Sequence, residues 1–282
     1  MISSFDDRRL LLIRQTDHSE VVGFFAAHWG NDRFERPRPW PAVVLAAQEH
    51  DKAWTEWELK PTINAEGHPI DYLGSRLPGS RIEGVLDAFV KDTERLIAVD
   101  PYAGLVSLMH AVGLVNRGYG GLLKHMPDRT KDPGGQEFVE EREQRRKRLL
   151  EELRSSSEYG EYASEEHIWQ NYHLMEIFDL MGQFFCNRYP LTSEERTGGP
   201  QHTLSDVPVP LRYGGEQTPI TITIVDDFRA VIDPYPFDMD PLQVPIPGRL
   251  VSKEPYASQA EFLRDYYNGE RVLITYTLQS SR

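Results

Sequence analysis

A chain of 282 residues, 39% of them hydrophobic, buries a substantial core without staples, which excludes disorder as the default reading. Its formal net charge of -13, from 44 acidic and 31 basic residues, argues against a nucleic-acid partner, because such a surface repels a phosphate backbone. The one cysteine, Cys186, excludes an intrachain disulfide, and no apolar run approaches membrane-spanning length, so the expectation is a cytoplasmic protein with no membrane partner.

In chain order, residues 10–14 are short, apolar and compatible with a β-strand. Asp17 with Glu20 three residues later has the spacing of a capping box, which predicts a helix starting near His18. Val22, Phe25 and Trp29 fall on one face of it, and Gly30-Asn31 ends it. After a proline-rich link, Pro41 suits the first turn of a second helix, on which Val43, Ala47, His50 and Trp54 form one stripe. A polar loop with Asn64, Gly67 and Pro69 precedes a helix over residues 82–98. Asp100-Pro101 then reads as a cap and first-turn pair opening another helix, closed by Gly118, Gly120 and Gly121.

Residues 136–154 form a long polar helix. Its basic run, Arg142 to Arg148, is interleaved and flanked with glutamates, so it reads as a solvated, charge-paired face. Residues 165–188 are helical and apolar nearly all round, the mark of a core helix. Beyond Pro190 the pattern changes. Residues 218–225 alternate Ile with Thr at period two, and residues 228–232 pair with them as a hairpin across Asp226-Asp227. Residues 242–251 are strand-like but contain Pro245 and Pro247, which predicts an edge position. A short helix over residues 257–267 and a strand over residues 272–278 complete the chain.

This order predicts an α+β fold. A mainly helical domain spans residues 1–190, and a β-rich region over residues 191–282 packs on it without being independent. The small antiparallel sheet takes its strands from the C-terminal region and from residues 10–14.

His50-Asp51 places an imidazole and a carboxylate side by side, donor types that suit Zn, Mn, Fe or Mg. One helix cannot complete a coordination shell. His18, at a helix start, supplies a further donor, as does Asp179, the sole charged residue between Ile177 and Phe185, where an uncompensated carboxylate is costly. His110 lies in the apolar stretch of residues 105–114 and is a rival or additional ligand. Trp54 is a candidate pocket wall, His68 and Asp71 candidates for the pocket mouth, and Glu58 a candidate general acid or base beside Asp51. The alternative readings are structural: Asp51 paired with Lys52 or Arg14, and Asp179 satisfied by His173 or Arg188.

His18…His50-Asp51…Asp179 on successive helices resembles the HD superfamily, whose helical domains bind divalent metals and are mostly phosphohydrolases. The wider run of Gln15-Thr16-Asp17-His18, Glu49-His50-Asp51…Trp54, Asp100-Pro101-Tyr102…Ser107…His110 and Ile177-Phe178-Asp179…Phe185-Cys186 resembles an uncharacterised bacterial family known only as a domain of unknown function. That likeness covers most of residues 8–190. Two features depart from the HD pattern: Asp179 follows Asp51 by 128 residues, and Lys52-Ala53 replaces the Gly-Lys continuation of some signalling members.

The resemblance implies a metal-dependent hydrolase acting on a small phosphate ester or phosphoanhydride, with Lys52, Lys124 or Arg14 neutralising the phosphate. The alternatives are a diiron oxygenase of the HD type and a metal-binding or regulatory module without turnover.

Overall fold

The computed structural model describes residues 2–71, 84–122, 128–187 and 202–281. Lys124, His125, Arg188 and the expected helix start at Ile82 lie outside them. Helices α1 (Gln15–His28), α2 (Trp40–Glu49), α3 (Thr55–Leu59), α4 (Val85–Val99), α5 (Pro101–Asn116), α6 (Gly135–Arg154) and α7 (Glu165–Asn187) occupy the first two thirds of the chain. They are preceded by strands β1 (Ile2–Ser4) and β2 (Arg9–Leu12). The C-terminal part adds β3 (Thr203–Pro210), β4 (Gln217–Asp226), β5 (Arg229–Asp233), β6 (Leu242–Ser252), helix α8 (Gln259–Asn268) and β7 (Arg271–Ser280). The fold is α+β, as the element order predicts.

One seven-stranded sheet runs in the order β1-β2-β6-β7-β5-β4-β3. It is larger than expected, because β1 and β3 carry no clear alternation. Pro208 and Pro210 obscure β3, which lies at the sheet edge, where a missing N–H is tolerated. The sheet is also not wholly antiparallel, since β5 and β7 pair in parallel. The expected N-terminal strand does join it: Leu10 faces Val251 and Leu12 faces Arg249.

The edge position expected for β6 is correct for only half of that strand. From Leu242 to Arg249 it pairs with β7, whereas β2 joins its other side only from Arg249 to Ser252. Pro245 and Pro247 therefore fall where one side of the strand has no β partner among the described residues. Gly248 lets β2 approach closely, since a Cβ there would come within 2.5 Å of the Leu11 side chain.

Helices and sheet share one core. Phe25 of α1 stacks on Phe237 with ring centroids 5.7 Å apart, and Phe185 of α7 meets Tyr276 of β7 at 5.0 Å. Val22, Phe25 and Trp29 are all fully buried, as their spacing predicts. The cap expected at the start of α5 is present, with the Asp100 carboxylate accepting from the amides of Tyr102 and Ala103, both at 2.9 Å.

Two helix boundaries differ from expectation, and both bear on the site. α1 begins at Gln15 rather than near His18, and its N-cap residue, Arg14, makes no side-chain cap. Asp17 pairs with Arg14 instead of capping. The second helix does not run on through Trp54. It stops at Glu49, Asp51 takes φ -109° and ψ 13°, and a single 3-10 turn over Lys52–Trp54 leads into α3.

Candidate metal centre

Four helical segments bring five side chains to one point: His18 from α1, His50 and Asp51 from the end of α2, His110 from α5, and Asp179 from α7. In sequence these lie as far apart as 161 residues, yet His18 Nε2 and Asp179 Oδ1 are 2.8 Å apart. Two sets, His18-His50-Asp51 and His50-His110-Asp179, each have donor atoms within 4.8 Å of one another. All five residues are buried, none more than 5% exposed.

The break after Glu49 lets neighbours in sequence act as one donor pair. On a continuous helix the side chains of residues 50 and 51 diverge by about a hundred degrees. Because the chain leaves the helix at Asp51, its Oδ2 comes within 3.4 Å of His50 Nε2. α1 is held close to α7 by Gly182, where a Cβ would sit 2.7 Å from His18 Cε1.

The spacing of the donor atoms suits a metal ion. His50 Nε2 is 3.6 Å from Asp179 Oδ1, and His18 Nε2 is 3.9 Å from Asp51 Oδ2. With bonds of about 2.1 Å, tetrahedral ligands sit roughly 3.4 Å apart and octahedral neighbours roughly 3.0 Å apart. The four distances, from 2.8 to 3.9 Å, bracket both values.

Tautomer chemistry points the same way. His50 Nδ1 donates to the Ala47 carbonyl at 2.7 Å, which leaves Nε2, close to the carboxylates and without a hydrogen-bond partner, as the nitrogen that takes either a proton or an ion. This backbone orientation of the second ring nitrogen is the usual support of a ligating imidazole. His18 Nδ1 and His110 Nδ1 are likewise buried without hydrogen-bond partners.

The electrostatics are those of a compact cluster of opposed charges. Burial opposes protonation of His50, but Asp51 and Asp179 outweigh it and push its pKa up to about 10. Burial also disfavours the Asp179 carboxylate, yet the hydrogen bond with His18 and the nearby charge of His50 hold its pKa well below the usual range. The same contest lowers Asp51, through His50 and His18. His110 is pushed down by burial and by His50. A cation bound in the cluster would take the place of the His50 proton.

Supporting contacts orient the carboxylates. The Trp54 indole N–H donates to Asp51 Oδ1 at 3.2 Å, so Trp54 touches one of the candidate donors. Gln183 donates to both Asp179 oxygens, at 3.1 and 3.0 Å. Neither role is visible in sequence, although Gln183 lies at the i+4 position from Asp179, on the same helix face.

The remaining candidates lie elsewhere. Glu58 is not placed among the donors. Its carboxylate accepts from the Gln15 amide and from the Thr16 amide and hydroxyl, and so supplies from α3 the cap that α1 lacks in its own sequence. Glu58→Ala is expected to destabilise the protein by about 1–3 kcal/mol, the range for a lost cap with buried amides left unpaired. Urea denaturation with an unchanged midpoint would refute that role.

His68 is exposed, in a short turn bridged by Ile63 and Pro69, and Asp71 accepts from the Ile2 amide; neither joins the cluster. Arg14 is paired with Asp17, and Lys52 with Glu20 at 2.8 Å, so neither neutralises Asp51 directly. His173 bonds the Pro208 carbonyl and leaves Asp179 to the cluster. Two buried acids escaped the sequence reading: Glu176, 1% exposed, one turn before Asp179 on α7, and Asp92 of α4, 8% exposed.

No curated protein and no solved structure matches the chain. A family model does match, over residues 1–253, and the chain belongs to that family, described as Protein of unknown function (DUF3891).

Proposed function

We propose that the protein is a metal-dependent hydrolase of HD-like type, acting on a small phosphate ester or phosphoanhydride. The observation that carries this reading is the buried, unpartnered His50 Nε2 inside a set of donors at metal-ligand spacing. His18, His50, Asp51 and Asp179 hold the ion. A bound divalent ion supplies Lewis acidity and a source of hydroxide at neutral pH.

The chain's own groups do the rest. Trp54 and Gln183 keep Asp51 and Asp179 turned toward the ion, and Asp51 also accepts a proton from the attacking water. A cleft of about 600 Å³ is lined by Lys52, the residue after Asp51, and by Trp57, Asp87, Lys91, Asp92 and Arg95. Lys91 makes no ion pair among the described residues and is the cation best placed to meet a phosphate there. The phosphate part of this reading rests on likeness to the HD superfamily.

The test is hydrolysis of p-nitrophenyl phosphate and bis-p-nitrophenyl phosphate by protein loaded with Mn(II), Mg(II), Zn(II) or Fe(II). Turnover is expected with metal and is lost by at least about 100-fold in Asp51→Asn, as when a group acting in the transition state is removed. Protein that retains its ion but hydrolyses neither substrate would overturn the phosphohydrolase reading in favour of a binding module. His110 brings a third imidazole to the cluster and favours a second reading, oxidation at iron. Oxygen uptake by the ferrous protein without phosphate release would select it.

A further inference from the structure

We propose that Asn171 is a positioning residue of the cluster: with Tyr213 of the β3–β4 turn, it fixes the axial register of the three helices that carry His50-Asp51, His110 and Asp179. This inference rests on the reading of the cluster as a metal centre, and concerns how its donors are held in place.

Asn171 lies on α7, two turns before Asp179, and is 0% exposed. A buried amide is costly unless its polar atoms are used, and here they are. Its Nδ2 donates to the Arg38 carbonyl at 2.8 Å and to the Tyr102 hydroxyl at 2.7 Å, while its Oδ1 accepts from the Tyr213 hydroxyl. Arg38 immediately precedes Pro39, the N-cap residue of α2, and Tyr102 lies in the first turn of α5. One side chain thus joins the entry to α2, the start of α5 and α7.

The three helices leave this node in the same direction. His110 is eight residues beyond Tyr102, and Asp179 eight beyond Asn171, a rise of about 12 Å in each helix. The ten residues of α2 span about 15 Å before His50. At their far ends the helices meet again: His50 Nε2 is 3.6 Å from Asp179 Oδ1, and the His50 and His110 ring centroids are 4.8 Å apart. Apolar packing alone is non-directional, whereas a directional polar contact selects one register, the role of a lone buried asparagine in a coiled coil. Coordination tolerates only ~0.2 Å in each bond, so a register set at one end of these helices is felt at the other.

Tyr213 completes the node from the C-terminal sheet. Its hydroxyl accepts from the Arg38 amide at 2.8 Å while donating to Asn171, and its ring stacks on His167 with centroids 4.0 Å apart. His167, one turn before Asn171, donates through Nε2 to the same Arg38 carbonyl at 2.6 Å. The Gly214 amide adds a bond to Gln170 Oε1 at 3.0 Å. The β-rich region thereby acts on a cluster to which, among the described residues, it contributes no donor atom.

The experiment titrates metal-free, full-length protein with Mn(II), reading affinity from the electron paramagnetic resonance signal of the free ion and stability from the melting temperature. Tyr213→Phe removes only the hydroxyl and keeps the ring on His167. It and Asn171→Ala are each expected to weaken Mn(II) binding about tenfold, the lower end for outer contacts of a metal site. Ile232→Ala, a buried truncation on β5, which supplies nothing to the node or the cluster, is the reference. It is expected to melt lower yet bind Mn(II) as wild type does, because a moderately destabilised protein is still almost wholly folded. Wild-type affinity in both Tyr213→Phe and Asn171→Ala overturns the positioning role and leaves the metal reading intact. An equal loss of affinity in Ile232→Ala also overturns it, since the effect is then one of general destabilisation. If Asn171→Ala does not fold, Tyr213→Phe decides alone. A wild type that binds no Mn(II) overturns the metal reading itself, and this inference with it.

Discussion

His50→Ala and Asp51→Ala are each expected to weaken divalent-metal binding by more than the ~10–100-fold that loss of a mere supporting contact costs. Both residues offer donor atoms directly, and their 3.4 Å approach arises from one local feature, the exit from α2 at Asp51. The effect has a thermal counterpart. An ion present at a hundred times its dissociation constant stabilises the folded state by about 2.7 kcal/mol. For a chain of this size that corresponds to a rise in melting temperature of roughly 4–6 °C. Wild type should therefore melt higher when Mn(II) is added, and the two variants should not respond. Equal metal content in wild type and both variants, measured by elemental analysis, would sink the site assignment.

The chelated wild type should remain folded. Without an ion, the His50 proton partly balances Asp51 and Asp179, as its raised pKa of about 10 records. A bound metal is therefore expected to tighten a cluster that the helices have already assembled, unlike small domains whose fold depends on the ion.

Deleting residues 1–14 is the second large effect expected. Leu11, Leu12 and Ile13 are 0%, 7% and 3% exposed, and β2 covers one side of β6. Each such side chain contributes about 1.5–3 kcal/mol by burial. Their sum is of the order of the whole stability of a typical domain, about 5–15 kcal/mol. The truncated chain is expected to lose its cooperative melting transition. Leu11→Ala provides the graded version, with a cost of about 2–5 kcal/mol for a large-to-small core change. A truncated protein melting at the wild-type temperature would show that β2 is dispensable.

Features whose cause lies within a few residues were legible in the sequence. Asp100-Pro101 caps α5 because the acceptor and the amides it serves are adjacent along the chain. The Ile/Thr alternation produced β4, and the apolar residues around Asp179 produced a buried α7, because side-chain period follows from backbone geometry. His18, His50 and Asp51 stood out because they are metal-ligand types placed in order near helix ends.

Other features required the assembled fold. The cap of α1 comes from Glu58, 43 residues from Gln15, which no local motif encodes. The end of α2 at Glu49 goes with the pairing of residues beyond it, where the Asp51 carboxylate turns to Trp54 and to the histidines.

The constellation of His18, His50 and Asp51 is therefore a property of the sequence, since residue type and helix position alone select it. The partnership of Asp179 and His110 with that trio belongs to the tertiary structure. Sequence separation says nothing about distance across a packed core, and only the close approach of α1 to α7 at Gly182 brings the Asp179 carboxylate within 2.8 Å of His18.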